Sequence, residues 1–351
     1  MKLKISQIGP LWEDIPPPRY GGTERIVHYL TEGLVEKGHD VTLFAAGSAQ
    51  TKAKLVSVYP KPLFRDKIPW WNVMYPLLHI TKAFEMEKEF DIIHVHLNQG
   101  SDFMTLPLCQ SFKNKVVFTM HFPYEFNYTW AGNTEVFQKY KDLQYVSISN
   151  SQRKGGENLN WLKTVYNGVD TDLYNLNLHP KDYFLWLGKF NPDKGTKEAV
   201  MAAKKAGVKL IVAGAVDKLE GDDYKYYLDT KPYIDGKLIQ LIGEVSDQEK
   251  NTLYGNALGF LNPIKWNEPF GLVMAESMAT GTPVISFRNG AAPEIIEDGK
   301  SGFIVDTVDE MVEKIKVIST INRAECRKQI EDSFSTKKMV DGYESVYNQI
   351  L

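Results

Sequence analysis

The chain has 351 residues, of which 43% are hydrophobic and 24% are charged, and its formal net charge is -3. This length favours two domains over a single core, and the charge argues against a dedicated nucleic-acid-binding protein, which is usually strongly basic. Two cysteines, Cys109 and Cys326, provide no disulfide framework and fit a reducing compartment. No apolar run is long enough to span a bilayer, so we expect a cytoplasmic protein, with peripheral membrane contact left open.

Short apolar runs alternate with helical segments along the whole chain. In the first half the strand-like runs are "LKISQIG", "HDVTLFAA", "FDIIHVH", "KVVFTMH", "QYVSIS" and "KTVYNGV". In the second half they are "YFLWLG", "VKLIVAG", "LIQLIG", "ALGFLNP", "TPVISF" and "SGFIVD". Such alternation predicts an α/β protein with two doubly wound parallel sheets, divided within the polar stretch from Tyr166 to Tyr183. The segment from Asp309 to Leu351 is predicted to be mostly helical, with an interruption at "IEDSFS".

The first candidate site is a Gly-Gly turn that opens a helix after the first strand. Gly21 and Gly22 lie in "RYGGTER". Glycine lets backbone amides approach an anion closely, and the start of a helix favours negative charge. A phosphate contact and a plain tight turn between strand and helix both remain open. The chain has no GxxxxGK[ST] or GxGxxG motif, which disfavours those two modes of nucleotide binding.

Two lysines follow the first strand of the second half. Lys189 and Lys194 lie in "LGKFNPDKG", and we expect a helix to begin near Asp193 or Lys194. Two cations at the end of a strand suit a diphosphate, because they would neutralise charge that develops as a bond to it breaks. The alternative is a solvated loop with ordinary surface lysines.

The stretch "WNEPFGLVMAES" predicts a helix that begins at about Phe270, after Pro269. The first amides of this helix, near Gly271 and Leu272, would be able to bind an anion. Glu268 and Glu276 would be separated by about 12 Å along a helix, whereas the carboxylate pairs of glycosidases are about 5–9.5 Å apart. We therefore expect the two glutamates to contact different parts of one elongated ligand.

Histidines and aspartates give weaker signals. His121 follows a strand and could contact a polar substrate, or could be a hydrogen-bonded, partly buried residue. His94 and His96 resemble a metal-binding pair, but we expect them to point to opposite faces of their strand and do not predict chelation. For "DTD", at residues 170–172, we favour a turn over a metal site. No metal site is predicted.

Taken together, the motifs resemble those of the family-four retaining glycosyltransferases of the GT-B fold. The resemblance rests on "YGGTERIVHYLTEGLVEKGHDVTLFA", "DIIHVH", "VSISNSQ", "YNGVD", "LGKFNPDKG" and "LIGEVSDQEKNTLYGNA", followed by the E-x7-E signature in "EPFGLVMAESMATGTPVISFRNGAAPEIIEDGKSGFIV". It implies two Rossmann-like domains that face each other across a cleft. The expected organisation is an acceptor-side domain at 1–170, a nucleotide-sugar domain at 171–335, and a C-terminal helix at 336–351 that packs back on the first domain.

The resemblance also implies roles for individual residues. Glu268 would lie by the donor sugar hydroxyls, and Glu276 would hold the ribose hydroxyls. Lys189 and Lys194 would serve the diphosphate, and His121 would contact the sugar. The other implied contacts are Gly21 and Gly22 with the diphosphate, the amides near Phe270, Gly271 and Leu272 with sugar and phosphate, and Gly243, Glu244 and Val245 with the base.

The implied activity is transfer of a hexosyl unit from a UDP- or GDP-sugar to a hydroxyl of a saccharide, glycolipid or small-molecule acceptor, with retention and without a metal or other cofactor. No nucleic-acid partner is expected, and the oligomeric state is left open. One departure is Lys189, where the family usually has arginine; lysine keeps the charge but loses the bidentate fork. Alternative functions are a nucleotide-sugar-binding protein without transfer activity, and a phosphorylase or epimerase of the same fold.

Overall fold

The structure is a computed structural model that describes residues 1–18, 21–125, 132–214, 216 and 221–351. The chain divides into two compact units. The first unit comprises Met1–Gly168 together with Thr336–Leu351, and the second comprises Val169–Ser335. Each unit is an α/β structure with its own parallel sheet.

The sheet of the first unit has seven strands in the spatial order β3-β2-β1-β4-β5-β6-β7, and all neighbours are parallel. The strands are β1 (Lys4–Ile8), β2 (Asp40–Phe44), β3 (Lys54–Val56), β4 (Ile92–Leu97), β5 (Val116–Met120), β6 (Gln144–Ser147) and β7 (Trp161–Thr164). Strands β4 and β5 are buried along their whole length, as is expected where helices cover both faces of a parallel sheet.

The helices of the first unit lie between its strands and at the end of the chain. They are α1 (Gly22–Glu36), α2 (Met74–Glu85), α3 (Thr105–Leu108), α4 (Asn133–Lys139) and, after the second unit, α12 (Thr336–Ile350). Helix α1 is amphipathic, because Ile26, Leu30 and Leu34 recur at helical spacing and are buried. A Cβ atom on Gly33 would lie 2.5 Å from a methyl carbon of Val340, so glycine permits close packing of α1 against α12.

The sheet of the second unit has six strands in the order β10-β9-β8-β11-β12-β13, again all parallel. The strands are β8 (Phe184–Leu187), β9 (Leu210–Ala213), β10 (Ile239–Gly243), β11 (Gly259–Asn262), β12 (Val284–Phe287) and β13 (Gly302–Val305). The helices are α5 (Thr196–Ala206), α6 (Asp222–Thr230), α7 (Asp247–Asn256), α8 (Leu272–Ala279), α9 (Ala292–Ile295), α10 (Val308–Val317) and α11 (Arg323–Ser333).

The predicted α/β class with two parallel sheets is confirmed, with local differences. The short strand β3 was not predicted, and the run "KTVYNGV" forms a strand only at its start, where β7 ends at Thr164. The C-terminal segment is helical with the predicted interruption, which falls between α11 and α12. A second break, at a single 3-10 turn between α10 and α11, was missed. Within the part of the chain that the structure describes, no helix is long and apolar enough to cross a bilayer.

Candidate active site

The candidate residues of the second unit follow the carboxyl ends of its strands. Lys189 comes after β8, Gly243 ends β10, and Glu268 lies in the loop after β11. Since β8, β11 and β12 are consecutive neighbours in a parallel sheet, the loops that follow them lie along one edge. In open α/β sheets this edge is where ligands bind.

Glu268 is held by two groups. Its Oε2 lies 2.5 Å from the Lys194 Nζ and accepts a hydrogen bond of 3.0 Å from the Trp266 Nε1. The ammonium also lies 5.0 Å from the centre of the Trp266 ring, which is within cation–π range. The structure therefore brings together two residues that the sequence predicted for the site, Glu268 and Lys194, and adds Trp266. A carboxylate fixed through one oxygen and balanced by a lysine is well suited to orient a polyhydroxylated ligand.

Gly290 fixes the backbone of Glu268 and was missed in the sequence. The Glu268 carbonyl accepts a 2.9 Å hydrogen bond from the Ala291 amide. Gly290 has φ of +55°, and a Cβ atom there would lie 2.2 Å from the Glu268 carbonyl oxygen. Only glycine fits this close approach of two backbones. The available signal was a glycine in "RNGAAPE" just after a strand, but its contact is with a residue 22 positions away.

Helix α8 begins at Leu272, two residues later than predicted. Gly271 is the N-cap residue, with φ of +86°, and no side chain caps the helix. Phe270 is buried and its ring packs against that of Phe334, 5.9 Å away. The first amides of α8 thus start from a fixed backbone without a capping side chain, which suits an anion.

Glu276 lies in the second turn of α8 and is 4% exposed. Its Oε2 is 3.4 Å from the hydroxyl of the buried Tyr254, and burial is the largest cause that raises the Tyr254 pKa well above its usual value. Glu268 and Glu276 have different partners, Lys194 and Tyr254. Each carboxylate is therefore fixed independently of the other.

The two lysines after β8 occupy different settings. The Lys189 Nζ lies 2.9 Å from Asp223 Oδ2, at the start of α6, whereas Lys194 binds Glu268. The helix expected near Asp193 or Lys194 is a 3-10 turn capped by Asn191, and α5 begins after Gly195. A diphosphate would therefore have to compete with Asp223 for Lys189.

The predicted base-binding segment follows β10. Gly243 has φ of +78°, and its carbonyl accepts a 2.8 Å hydrogen bond from the Gly214 amide. Glu244 is exposed and Val245 is half-buried. They lead into the reciprocal side-chain cap of α7, formed by Ser246 and Glu249. The segment is thus a short turn anchored at both ends.

In the first unit, the Gly-Gly turn forms the start of α1. The helix begins at Gly22, and Gly21 has φ of +141°. A Cβ atom on Gly21 would lie 2.7 Å from the Cβ atom of Pro17. Glu24, in the first turn, is buried, and desolvation raises its pKa to about 7. Arg19 and Tyr20, before the turn, and residues 126–131, in the stretch after His121, lie outside the described residues.

His121 follows β5 and is half-buried. Its Nε2 lies 3.0 Å from the Nδ1 of His96. His96 and His94 lie side by side, with ring centres 4.2 Å apart. The expectation that these two point to opposite faces was wrong, because residues two apart on a strand share a face.

A buried hydrogen-bond chain links His121 to helix α12. The His96 Nε2 lies 2.8 Å from Gln7 Oε1, and the Gln7 Nε2 donates a 3.0 Å hydrogen bond to the Tyr347 hydroxyl. That hydroxyl is 2.8 Å from the His94 Nδ1. Burial lowers the pKa of His94 and His96 well below the usual range, and lowers that of His121 to about 3. The three imidazoles are therefore neutral near pH 7.

Because the imidazole rings are neutral, each has one donor nitrogen and one acceptor nitrogen, and the hydrogen-bond chain determines which is which. With the Gln7 amide oxygen toward His96, the His96 Nε2 is the donor and its Nδ1 is an acceptor. His121 must then donate from Nε2, which leaves its Nδ1 unprotonated. His121 can thus accept a hydrogen bond from a hydroxyl group of a ligand.

No group of three or more His, Cys, Asp or Glu side chains within the described ranges could hold a metal ion. Asp170 and Asp172 form a turn, in which the Asp172 amide donates to Asp170 Oδ1 at 3.0 Å.

Two family models match the chain. The model described as "Glycosyl transferases group 1" matches residues 175–333, and the model described as "Glycosyltransferase Family 4" matches residues 20–173. Together they span both units apart from the termini. The residues predicted for the site all fall within these two ranges.

Relatives and solved structures show the same similarity. The chain is 25% identical to the uncharacterized glycosyltransferase MJ1607 of Methanocaldococcus jannaschii, over 86% of this chain and 85% of that protein. It is also 25% identical to the phosphatidyl-myo-inositol mannosyltransferase of Mycolicibacterium smegmatis, over 88% of this chain and 82% of that one. The structure of Anabaena HepE in complex with UDP-glucose has a TM-score of 0.73 and 16% identity, with 99% of this chain and 100% of that chain covered.

Proposed function

Because this chain belongs to the family-four glycosyltransferases of GT-B fold, we propose that it moves a hexosyl unit from a UDP- or GDP-sugar to an acceptor hydroxyl with retention. The observation that carries the proposal is the contact of Glu268 with Lys194 and Trp266 beside the uncapped start of α8. This contact places a carboxylate that could bind sugar hydroxyls next to a lysine and helix amides that could bind phosphate. The UDP-glucose complex of a structural neighbour supports a nucleotide-sugar as the donor class.

In the proposed reaction, the bond between the anomeric carbon and the diphosphate oxygen breaks, and a bond from that carbon to the acceptor oxygen forms on the same face. Negative charge grows on the leaving diphosphate. Lys189, Lys194 and the first amides of α8 would stabilise it, since preorganised donors act most strongly where charge develops. The leaving phosphate oxygen would take the acceptor proton.

These cationic groups make transfer without a bound metal ion the expected mode. Glu268 would hold the sugar hydroxyls and balance positive charge at the anomeric carbon, while Lys194 holds that carboxylate in place. Glu276 would bind the ribose hydroxyls from the second turn of α8. Gly243, Glu244 and Val245 would line the base, and Gly21, Gly22 and His121 stay predicted ligand contacts of the first unit.

Glu268→Gln tests the proposal. We expect kcat to fall by about 100-fold or more, since a group that acts on developing charge is lost, with little change in the free energy of unfolding. The matched control is Glu198→Gln, which removes another lysine-paired carboxylate of the same unit, 2.7 Å from Lys265. Release of nucleoside diphosphate with and without acceptors measures both variants.

Near wild-type turnover of Glu268→Gln would contradict the assignment. Tight donor binding without any release of nucleoside diphosphate would instead favour a binding protein, and dependence on free phosphate or conversion of the sugar without acceptor would favour a phosphorylase or an epimerase. Thermal unfolding with a panel of UDP-, GDP- and ADP-sugars identifies the donor, because a bound ligand stabilises the fold by mass action.

A further inference from the structure

Large exposed apolar side chains are concentrated in one short segment of the first unit. Of the sixteen large apolar residues that the described part of the chain exposes, six lie between residues 64 and 78. We call them the tryptophan patch; they are Phe64, Trp70, Trp71, Met74, Leu77 and Leu78. Single exposed apolar residues are common on protein surfaces, but a contiguous set marks a binding surface.

The tryptophan patch protrudes from a turn and a helix. Trp70 and Trp71 are the central residues of a turn that a 2.8 Å hydrogen bond from the Asn72 amide to the Pro69 carbonyl closes. They are 57% and 67% exposed. From Met74 onward the exposed residues follow helical spacing on α2, opposite a buried face that includes His79 and Ile80. Trp70 and Trp71 therefore project from the tip of a turn, where they can contact a broad surface.

A small core holds the patch in place from behind. The Phe64 ring lies 5.1 Å from that of the buried Trp12, and the Tyr75 ring lies 4.6 Å from that of Tyr59. Both pairs pack on a cluster that includes the fully buried Leu63. The segment that carries the patch is therefore anchored to this core at Phe64 and Tyr75.

Positive charge flanks the patch. Residues 61–85 contain four basic side chains and two acidic side chains, Asp66 and Glu85. Lys61 pairs with Asp66 at 2.6 Å, and Arg65 pairs with Asp14. Lys67 and Lys82 are exposed on either side of the tryptophans, and Lys82 lies 3.9 Å from the exposed Glu85. The segment thus offers apolar tips with a basic margin.

We propose that the tryptophan patch inserts into the interfacial region of a lipid bilayer that carries anionic headgroups. Tryptophan is enriched at this depth of membranes, because its indole is apolar with one polar N–H group. Basic residues beside such a surface add attraction to anionic lipids, whereas lysine is depleted in interfaces between proteins. Combined with the proposed transfer reaction, this surface favours an acceptor that is anchored in a membrane. The acceptor class rests on the proposed function, whereas binding of the patch to vesicles is independent of it.

Co-sedimentation of the full chain with vesicles tests the proposal. We expect binding to phosphatidylcholine vesicles that contain phosphatidylglycerol, and the double variant Trp70→Ser, Trp71→Ser should lower the partition coefficient by about tenfold or more. The matched control is Leu178→Ser with Leu228→Ser, which removes two exposed leucines of the second unit and should bind as wild type. Lys67→Glu with Lys82→Glu should weaken binding only to the anionic vesicles.

The proposal is overturned if the wild-type protein does not bind these vesicles, or if the double tryptophan variant binds them equally well. It is also overturned if the wild-type protein is a dimer in sedimentation velocity, the double tryptophan variant is a monomer, and neither binds vesicles. The patch would then be an interface between two copies of the chain. Leu78→Asp, an independent variant on α2, should reproduce the loss. Release of nucleoside diphosphate from a water-soluble donor should stay unchanged in all variants, which separates this test from that of the transfer reaction.

Discussion

Lys189 forms an ion pair with Asp223 and could still bind a diphosphate. Its ammonium lies 2.9 Å from Asp223 and its side chain is 43% exposed. Surface ion pairs contribute little to stability, so a diphosphate can displace the carboxylate at small cost. Lysine also offers a point charge in place of the arginine fork.

Lys189→Ala should therefore weaken binding of a nucleoside diphosphate by about tenfold, the loss expected for one charge-assisted hydrogen bond. Titration calorimetry with UDP and GDP measures the change. Lys225→Ala is the control, because Lys225 is exposed and pairs with Asp222 in the same region, and it should leave affinity unaltered. Unaltered affinity in Lys189→Ala would remove Lys189 from the site.

His121 provides a prediction about a proton. The hydrogen-bond chain through His96 and Gln7 places the His121 proton on Nε2. Gln7→Leu should shift His121 toward the other tautomer and lower kcat/KM several-fold, with little effect on the pH profile because the ring is neutral in both forms. Thr119→Val is the control; Thr119 binds the His94 Nε2 at 2.7 Å, beyond the path to His121.

Long-range ¹⁵N–¹H correlation spectra of the imidazole rings report this directly. Wild-type protein with the His121 proton on Nδ1 would contradict the assignment. An unchanged His121 tautomer in Gln7→Leu would show that Gln7 does not position it.

At the scale of elements, the packing of two loops depends on Gly290. Gly290→Ala introduces a Cβ atom 2.2 Å from the Glu268 carbonyl oxygen. Gly299→Ala is a matched control, because Gly299 also has positive φ, +78°, but nothing lies within 4 Å of its added Cβ atom. Positive φ alone costs about 1 kcal/mol for alanine, so the free energy of unfolding should fall by about that amount in the control.

Gly290→Ala should lose more stability than the control and should also lose turnover, because the loop that carries Glu268 must move. Urea unfolding and kcat measure the two effects. Equal stability losses and equal turnover in the two variants would contradict the role of Gly290 in placing Glu268.

The elements also show what sequence alone can predict. Strands of parallel sheets tend to be apolar runs, so twelve of the thirteen strands that the structure describes stand out in the sequence. Strand β3 has three residues at a sheet edge and gives no such signal. Glu268 and Lys194 were predicted because both follow strands. Gly290 and Trp266 escaped, since their contacts depend on the loop geometry. Strand periodicity also predicts that His94 and His96 share a face. Our expectation that they point to opposite faces was therefore an error of reasoning.

For the whole molecule, titratable groups buried in the first unit predict its response to acid. Burial lowers the pKa of His79 to about 4 and that of His121 to about 3, and lowers those of His94 and His96 as well. On unfolding each imidazole regains a pKa near 6.5, so the unfolded chain binds more protons as pH falls below that value. The histidines therefore destabilise the fold as pH drops from about 6.5 to 4.

Two buried carboxyl groups act in the opposite direction. Desolvation raises the pKa of Glu24 to about 7 and that of Asp102 to about 6, so their protonation favours the folded state as pH falls through these values. Because four imidazoles act against two carboxyl groups, the free energy of unfolding of the first unit should decrease as pH falls through about 5.

All six groups lie in the first unit, whereas the second unit has one histidine, the exposed His179. We expect the first unit to unfold before the second at about pH 5, which calorimetry and hydrogen exchange can resolve by region. His79→Gln should flatten the pH dependence of unfolding of the first unit. Earlier unfolding of the second unit in acid would contradict this.

Helix α12 places the end of the chain inside the first unit. The hydroxyls of Tyr343 and Tyr347 satisfy the buried Thr119, Gln7 and His94. During synthesis on the ribosome, the residues that need these partners emerge before the second unit, and the tyrosines emerge after it. The second unit is one continuous stretch of chain and has all its residues before α12 is translated. The second unit can thus complete its fold before the first unit, whose buried polar groups lack these partners until α12 has been translated.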